Sequence, residues 1–169
     1  MRLFFALWAD AGVAQQFAAL SSQFKFEHAG RLVDSKNYHV TVAFVGEVSN
    51  SRLETLRKIG WTLQARPFSM RFDALEYWQE SRAIVAVVSD TPPALRDLWQ
   101  GLQSAIGLKT DMPFRPHVTL ARKVAQATVH TAKSAIIWDA GKLSLIRSDT
   151  GGVESAYTVV DTWPLLYES

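Results

Sequence analysis

The tetrapeptide His39-Val40-Thr41-Val42 recurs as His117-Val118-Thr119-Leu120, each time inside a β-branched, apolar run that reads as a strand. The order around it recurs as well. Leu3 to Trp8 is a short apolar and aromatic strand closed by Asp10, a good helix cap, and followed by Val13, Phe17, Leu20 and Phe24 at helical spacing. Tyr38 to Val45 is the first tetrapeptide's strand. Asn50 or Ser51 caps a helix carrying Leu53, Leu56, Gly60 and Leu63 on one face, and Phe68 to Val88 is a hairpin turning at Gln79 to Ser81. Ala83 to Asp90 begins the series again as strand and cap. The helix after it has Pro92 or Pro93 in its first turn and Leu95, Leu98, Leu102 and Ile106 on one face. His117 to Arg122 is the second tetrapeptide's strand, Ala127 to Ala135 a weak helix, and Lys142 to Ser148 with Val153 to Val160 a hairpin across Gly151-Gly152. A period of ~80 residues is too long for a solenoid. The expectation is an α+β fold, one bilobal domain over residues 1–169 whose halves, about 1–82 and 83–165, are related by an approximate twofold axis.

With 48% hydrophobic and 20% charged residues, the chain is neither disordered nor fibrous, and at 169 residues it buries a core without staples. Cysteine is absent, which excludes thiolate metal sites, thiol nucleophiles and disulfides. The formal charge of +2 is spread without a run of Lys or Arg, a weak pull on polyanions. No apolar stretch approaches the ~20 residues that span a bilayer, and Met1 to Trp8 reads as a strand, so cytoplasmic residence is the default.

Side chains alternate along a strand, so His39 and Thr41 share one face and Val40 and Val42 the other, and likewise His117 and Thr119 against Val118 and Leu120. If the halves are twofold related, two imidazoles and two hydroxyls converge on one cleft. A histidine two residues before a threonine is a weak pattern alone. At matching places in two copies it points to chemistry: one ring as general base, the other as general acid, and hydroxyls donating to a tetrahedral anion. That set matches metal-free phosphodiester cleavage. Metal binding fits less well, because Asp34, Glu47 and Asp111 are isolated and two histidines supply too few ligands. No cofactor is called for.

The two tetrapeptides lie within Asn37-Tyr-His-Val-Thr-Val-Ala-Phe-Val-Gly-Glu-Val48 and Phe114-Arg-Pro-His-Val-Thr-Leu-Ala-Arg122. They resemble those of the two-histidine (2H) phosphoesterase superfamily, and within it the bacterial and archaeal RNA 2′,3′-cyclic phosphodiesterases, also called 2′-5′ RNA ligases. The likeness extends from Arg2-Leu-Phe-Phe-Ala-Leu7 to Thr162-Trp-Pro-Leu165. It implies lobes of antiparallel sheet with helices outside and a central groove, in a monomer acting on RNA 3′ ends that carry a 2′,3′-cyclic phosphate. It further implies hydrolysis to a 2′-phosphate, with His39 as acid on the departing oxygen, His117 as base on water, and Thr41 and Thr119 holding the phosphate.

Further candidates surround these four. Arg122 faces away from His117 on an unbroken strand, and a bulge would return it to the groove. Arg115 shares the face of His117, Arg31 matches a basic position common in the family, and Arg82 follows the first hairpin's turn. Trp78 at that turn, like Tyr38 and Phe114 beside the motifs, is an aromatic able to stack on a base. His28 and His130 lack the threonine and read as surface residues. The second hairpin carries Asp149 and Glu154 where relatives frequently carry basic residues, which implies a weak grip on long RNA. Two alternatives stand beside the leading reading. One is a phosphodiesterase or 2′-5′ ligase acting on small cyclic or 2′-5′-linked nucleotides; the other is a non-catalytic RNA-binding module on the same fold.

Overall fold

The computed structural model describes residues 1–26, 29–63, 65–129, 134–149 and 156–166. In chain order the elements are β1 (Arg2–Trp8), α1 (Ala11–Ser21), β2 (Arg31–Leu32), a 3-10 turn (Ser35–Asn37), β3 (His39–Glu47), α2 (Asn50–Thr62), β4 (Phe68–Trp78), β5 (Ala83–Val88), α3 (Pro93–Ile106), β6 (His117–Arg122), β7 (Ile136–Ala140), β8 (Lys142–Asp149) and β9 (Ala156–Pro164). They build two antiparallel sheets, β3-β1-β8-β9 and β2-β6-β5-β4-β7, in a bilobal α+β fold. Each sheet takes strands from both halves of the sequence. The C-terminal hairpin β8–β9 completes the sheet of β1 and β3, whereas β2 and β4 flank β5 and β6.

The apolar residues divide into a large shared core and three smaller clusters, one of them Ile84, Ala121 and Val124. Leu3, Phe5, Leu7, Val40 and Val42 from one sheet and Ala86, Val88, Val118 and Leu120 from the other pack with Phe17 of α1, Leu56 of α2 and Leu95, Leu98 and Leu102 of α3. On the opposite face of the first sheet lie Phe4, Ala6 and Ile146, joined by Trp8 and Tyr157; on that of the second lie Ala83, Val85 and Val87, joined by Ala74 and Trp78. Gly60 lets α2 close onto β9: a Cβ there would stand 2.4 Å from the Trp163 ring.

Three local expectations are corrected. Asp10 does cap α1, accepting from the Val13 amide at 2.9 Å, but α3 starts after Pro92, not Asp90, and has no side-chain cap. The cap of α2 is Ser49, one residue before the expected pair, accepting from the Arg52 amide. The weak helix around Ala127 to Ala135 is not formed at its described residues. Ile136–Ala140 forms β7 instead, with alternate residues buried, pairing along β4. The Gly151-Gly152 turn, Glu154, His28 and His130 lie outside the described residues.

Candidate active site

His39 opens β3 and His117 opens β6, and these two strands meet where the sheets meet. The short β2 pairs only with Ala121 and Arg122, so the His117 end of β6 stays open toward β3. His39 and Thr41 share the face of Phe4, Ala6 and Trp8, since Trp8 pairs with His39 and Ala6 with Thr41. His117 and Thr119 share the face of Val87 and Val85, their register partners on β5. All four side chains are partly buried, against fully buried Val40, Val42, Val118 and Leu120 on the reverse faces.

The two rings are held alike. His39 Nδ1 lies 2.7 Å from the Asn37 carbonyl, and His117 Nδ1 lies 2.7 Å from the Arg115 carbonyl. A carbonyl only accepts, so Nδ1 carries the hydrogen in both and Nε2 is left as the atom that takes or gives a proton. Each ring also rests on an indole. Trp8 stacks on His39 at 4.8 Å and 5°, with Phe4 and Tyr157 at 5.2 and 5.5 Å, and Trp78 leans on His117 at 4.4 Å.

Both imidazoles hold a proton less well than a free histidine. Burial pushes His39 down to about 4, helped by the Arg122 and His117 charges and opposed by the Asn37 hydrogen bond. His117 is also lowered, first by burial and then by Arg122 and Arg115, while its Arg115 carbonyl bond and Glu76 pull the other way. The Arg122 charge bears on both rings from their own face of the strand. A register slip explains how it gets there. Val85 pairs with Thr119 and Ile84 with Ala121, so Leu120 is a bulge that returns Arg122 to the histidine face. The first motif has the same slip at Val42, since Ala6 pairs with Thr41 and Phe5 with Ala43.

The remaining candidates fall outside the cluster or are engaged within it. Arg115 is ion-paired to Glu76 at 2.7 Å, with its guanidinium 5.2 Å from the Trp78 ring centre. Arg31 is the register partner of Arg122 on β2. Arg82, at φ 52, turns away to the Val124 and Lys123 carbonyls and braces the loop after β6. Tyr38 is 1% exposed and bonded to Ser21, so it is core and no platform for a base; Phe114 is stacked on Trp99. Sequence reasoning passed over Trp8, Phe4, Tyr157 and Glu76. The first two were accessible from the alternation of β1, which puts them beside His39. Glu76 was not, because its partners lie across the sheet. Among the described residues no three His, Asp or Glu side chains gather as a metal site would require, and no helix is long and apolar enough to cross a membrane.

Two sheets that present paired His-x-Thr strands to each other define a two-histidine phosphoesterase. The family model of the 2′-5′ RNA ligase superfamily matches residues 10–152, and the chain belongs to that superfamily. The RNA 2′,3′-cyclic phosphodiesterase of Escherichia coli (strain K12) is 28% identical over 170 residues, spanning 97% of this chain and 96% of its own. The crystal structure of E. coli LigT in apo form superposes with a TM-score of 0.90 at 27% identity, covering 98% of both chains. LigT complexed with 3′-AMP superposes at 0.89, again at 27% identity and over 98% of both chains.

Proposed function

We propose that this chain is an RNA 2′,3′-cyclic phosphodiesterase that opens the cyclic phosphate to a 2′-phosphate with His39 and His117 as acid and base. The observation that carries the reading is the matched pair of imidazoles, each with Nδ1 tied to a carbonyl two residues back and Nε2 left for the reaction. Family membership and the E. coli relative's activity support the substrate class, and the nucleotide held by LigT supports a nucleotide in the groove.

His117 Nε2 takes a proton from water as the water oxygen bonds to phosphorus, the P–O3′ bond breaks, and His39 Nε2–H protonates the departing 3′ oxygen. The division follows from the surroundings. Heavier burial, against Trp8, Phe4 and Tyr157, makes protonated His39 the stronger acid, and His117, less deeply buried and with Glu76 beside it, is the more basic ring. By themselves both rings favour the neutral form at neutral pH. The anionic phosphate supplies the charge that lets His39 carry its proton, so acid and substrate arrive together. Thr41 and Thr119 donate to the non-bridging oxygens, and Arg122 faces the charge that builds there.

The test is incubation in excess chelator with a short RNA ending in a 2′,3′-cyclic phosphate, and separately with mononucleotide 2′,3′-cyclic phosphates, resolving 2′- from 3′-phosphate products. The expected product is the 2′-phosphate, lost by 10²–10⁴ in His39→Ala and His117→Ala variants that keep their fold. RNA binding without turnover would move the assignment to a binding module.

A further inference from the structure

Glu76 is the one carboxylate whose charge acts on His117 among the described residues, and no motif singled it out. It lies near the end of β4 on the face of Ala74 and Trp78, opposite Val85 of β5, which in turn pairs with Thr119. Two groups converge on its two oxygens, through three hydrogen bonds. The Trp78 indole N–H donates to Oε2 at 2.6 Å, and Arg115 Nη2 donates to Oε1 and Oε2 at 2.7 and 2.8 Å. Trp78 is the ring against which His117 rests, and Arg115 supplies the carbonyl that holds His117 Nδ1. Glu76 therefore ties together both supports of this imidazole: the indole on one side through its N–H and the backbone on the other through the residue that owns the carbonyl.

We propose that Glu76 is the positioning residue of His117, holding Trp78 and Arg115 in place around the ring and setting a negative charge beside it. The inference rests on His117 being the base. The charges facing His117 are Arg122 from its own strand, Arg115 from the preceding loop, Glu76 from β4 and His39 from β3. Three of these are cationic or become so on protonation. Of these charges Glu76 alone favours the proton that a base must accept, and its bond to Arg115 also offsets one of the opposing charges.

The sign of one shift separates this role from bracing alone. In Glu76→Gln the amide oxygen can still accept from Trp78, while the charge is gone and Arg115 stands uncompensated. The His117 titration midpoint, read by NMR from its ring protons, then falls by at least about 0.5 pH unit. A residue that merely braced the strand would, on removal, let water reach the ring and raise the midpoint toward the ordinary histidine value. Arg115→Gln shifts it the opposite way, upward, and the double variant Glu76→Gln, Arg115→Gln returns it to within about 0.3 unit of the parent. On 2′,3′-cyclic phosphates, Glu76→Gln loses kcat several-fold at pH 7 with KM little changed, and the acid limb of its pH profile moves to lower pH. An unmoved or rising His117 midpoint in Glu76→Gln overturns the proposal. The titration needs no substrate, so it stands or falls separately from the activity on cyclic phosphates. Glu76 is partly exposed, and the far-UV spectrum and melting temperature of each variant check that it folds.

Discussion

Lowering the pH from 7 to 4.5 tests the electrostatics of the groove without any substrate. His39 has a folded-state pKa of about 4, below the ~6.5 of an unfolded histidine, because it is packed among Trp8, Phe4 and Tyr157 and shares Arg122 with His117. The unfolded chain therefore binds the proton more tightly than the native one. The contribution of this residue to stability is present above pH 6.5 and is lost as the pH falls toward 4. The linkage relation makes the penalty small at pH 7 and, at pH 4.5, on the order of 2–3 kcal/mol through His39. Replacing it with glutamine removes that term and leaves the other titrating groups in place. Urea unfolding of parent and His39→Gln at both pH values, followed by far-UV circular dichroism, isolates the difference: the parent should lose roughly 2–3 kcal/mol more than the variant on acidification. Parallel losses, agreeing within about 0.5 kcal/mol, would refute the claim that the native fold holds His39 neutral.

Arg122→Gln removes a charge that lowers both rings, so the NMR titration midpoints of His39 and His117 should rise together and KM for cyclic phosphates should increase. Thr41→Val and Thr119→Val each remove one of the hydroxyls proposed to hold the phosphate, and single-turnover rates should fall by about 10²–10³ with the melting temperature little changed. Gly60→Ala forces a methyl into the Trp163 ring and should destabilise the protein by about 1–3 kcal/mol in urea unfolding.

What the chain states locally could be read before any coordinates. The faces of His39, Thr41, His117 and Thr119 follow from strand alternation, and Asp10 announces α1. The failures share a cause, which is information carried by distant pairing. Arg122 reads as facing away because a period of two cannot register the slip at Leu120. Ile136–Ala140 is a strand because β4 offers it an edge; the preceding alanines suggested a helix. Arg115 and Trp78 looked like two independent contacts for RNA, whereas Glu76, brought to them across the sheet, makes them one unit. The interleaving of the sheets was hidden for the same reason: a repeat in sequence shows equivalent elements and does not say which strands lie beside them.

The twin slips at Val42 and Leu120 give the two motifs the same backbone path, so the position that follows the slip is a controlled comparison written into one molecule. In the second motif it holds Arg122. In the first it holds Phe44, 47% exposed, with the Arg2 guanidinium 4.8 Å from its ring centre. A groove with true twofold symmetry would look the same to a nucleic-acid strand running in either direction, and neither histidine would have a fixed partner oxygen. A guanidinium at one of these positions and a phenyl ring at the other make the two motifs unequal. Under the proposed function, that inequality is what would match the polarity of an incoming strand to one imidazole as donor and the other as acceptor.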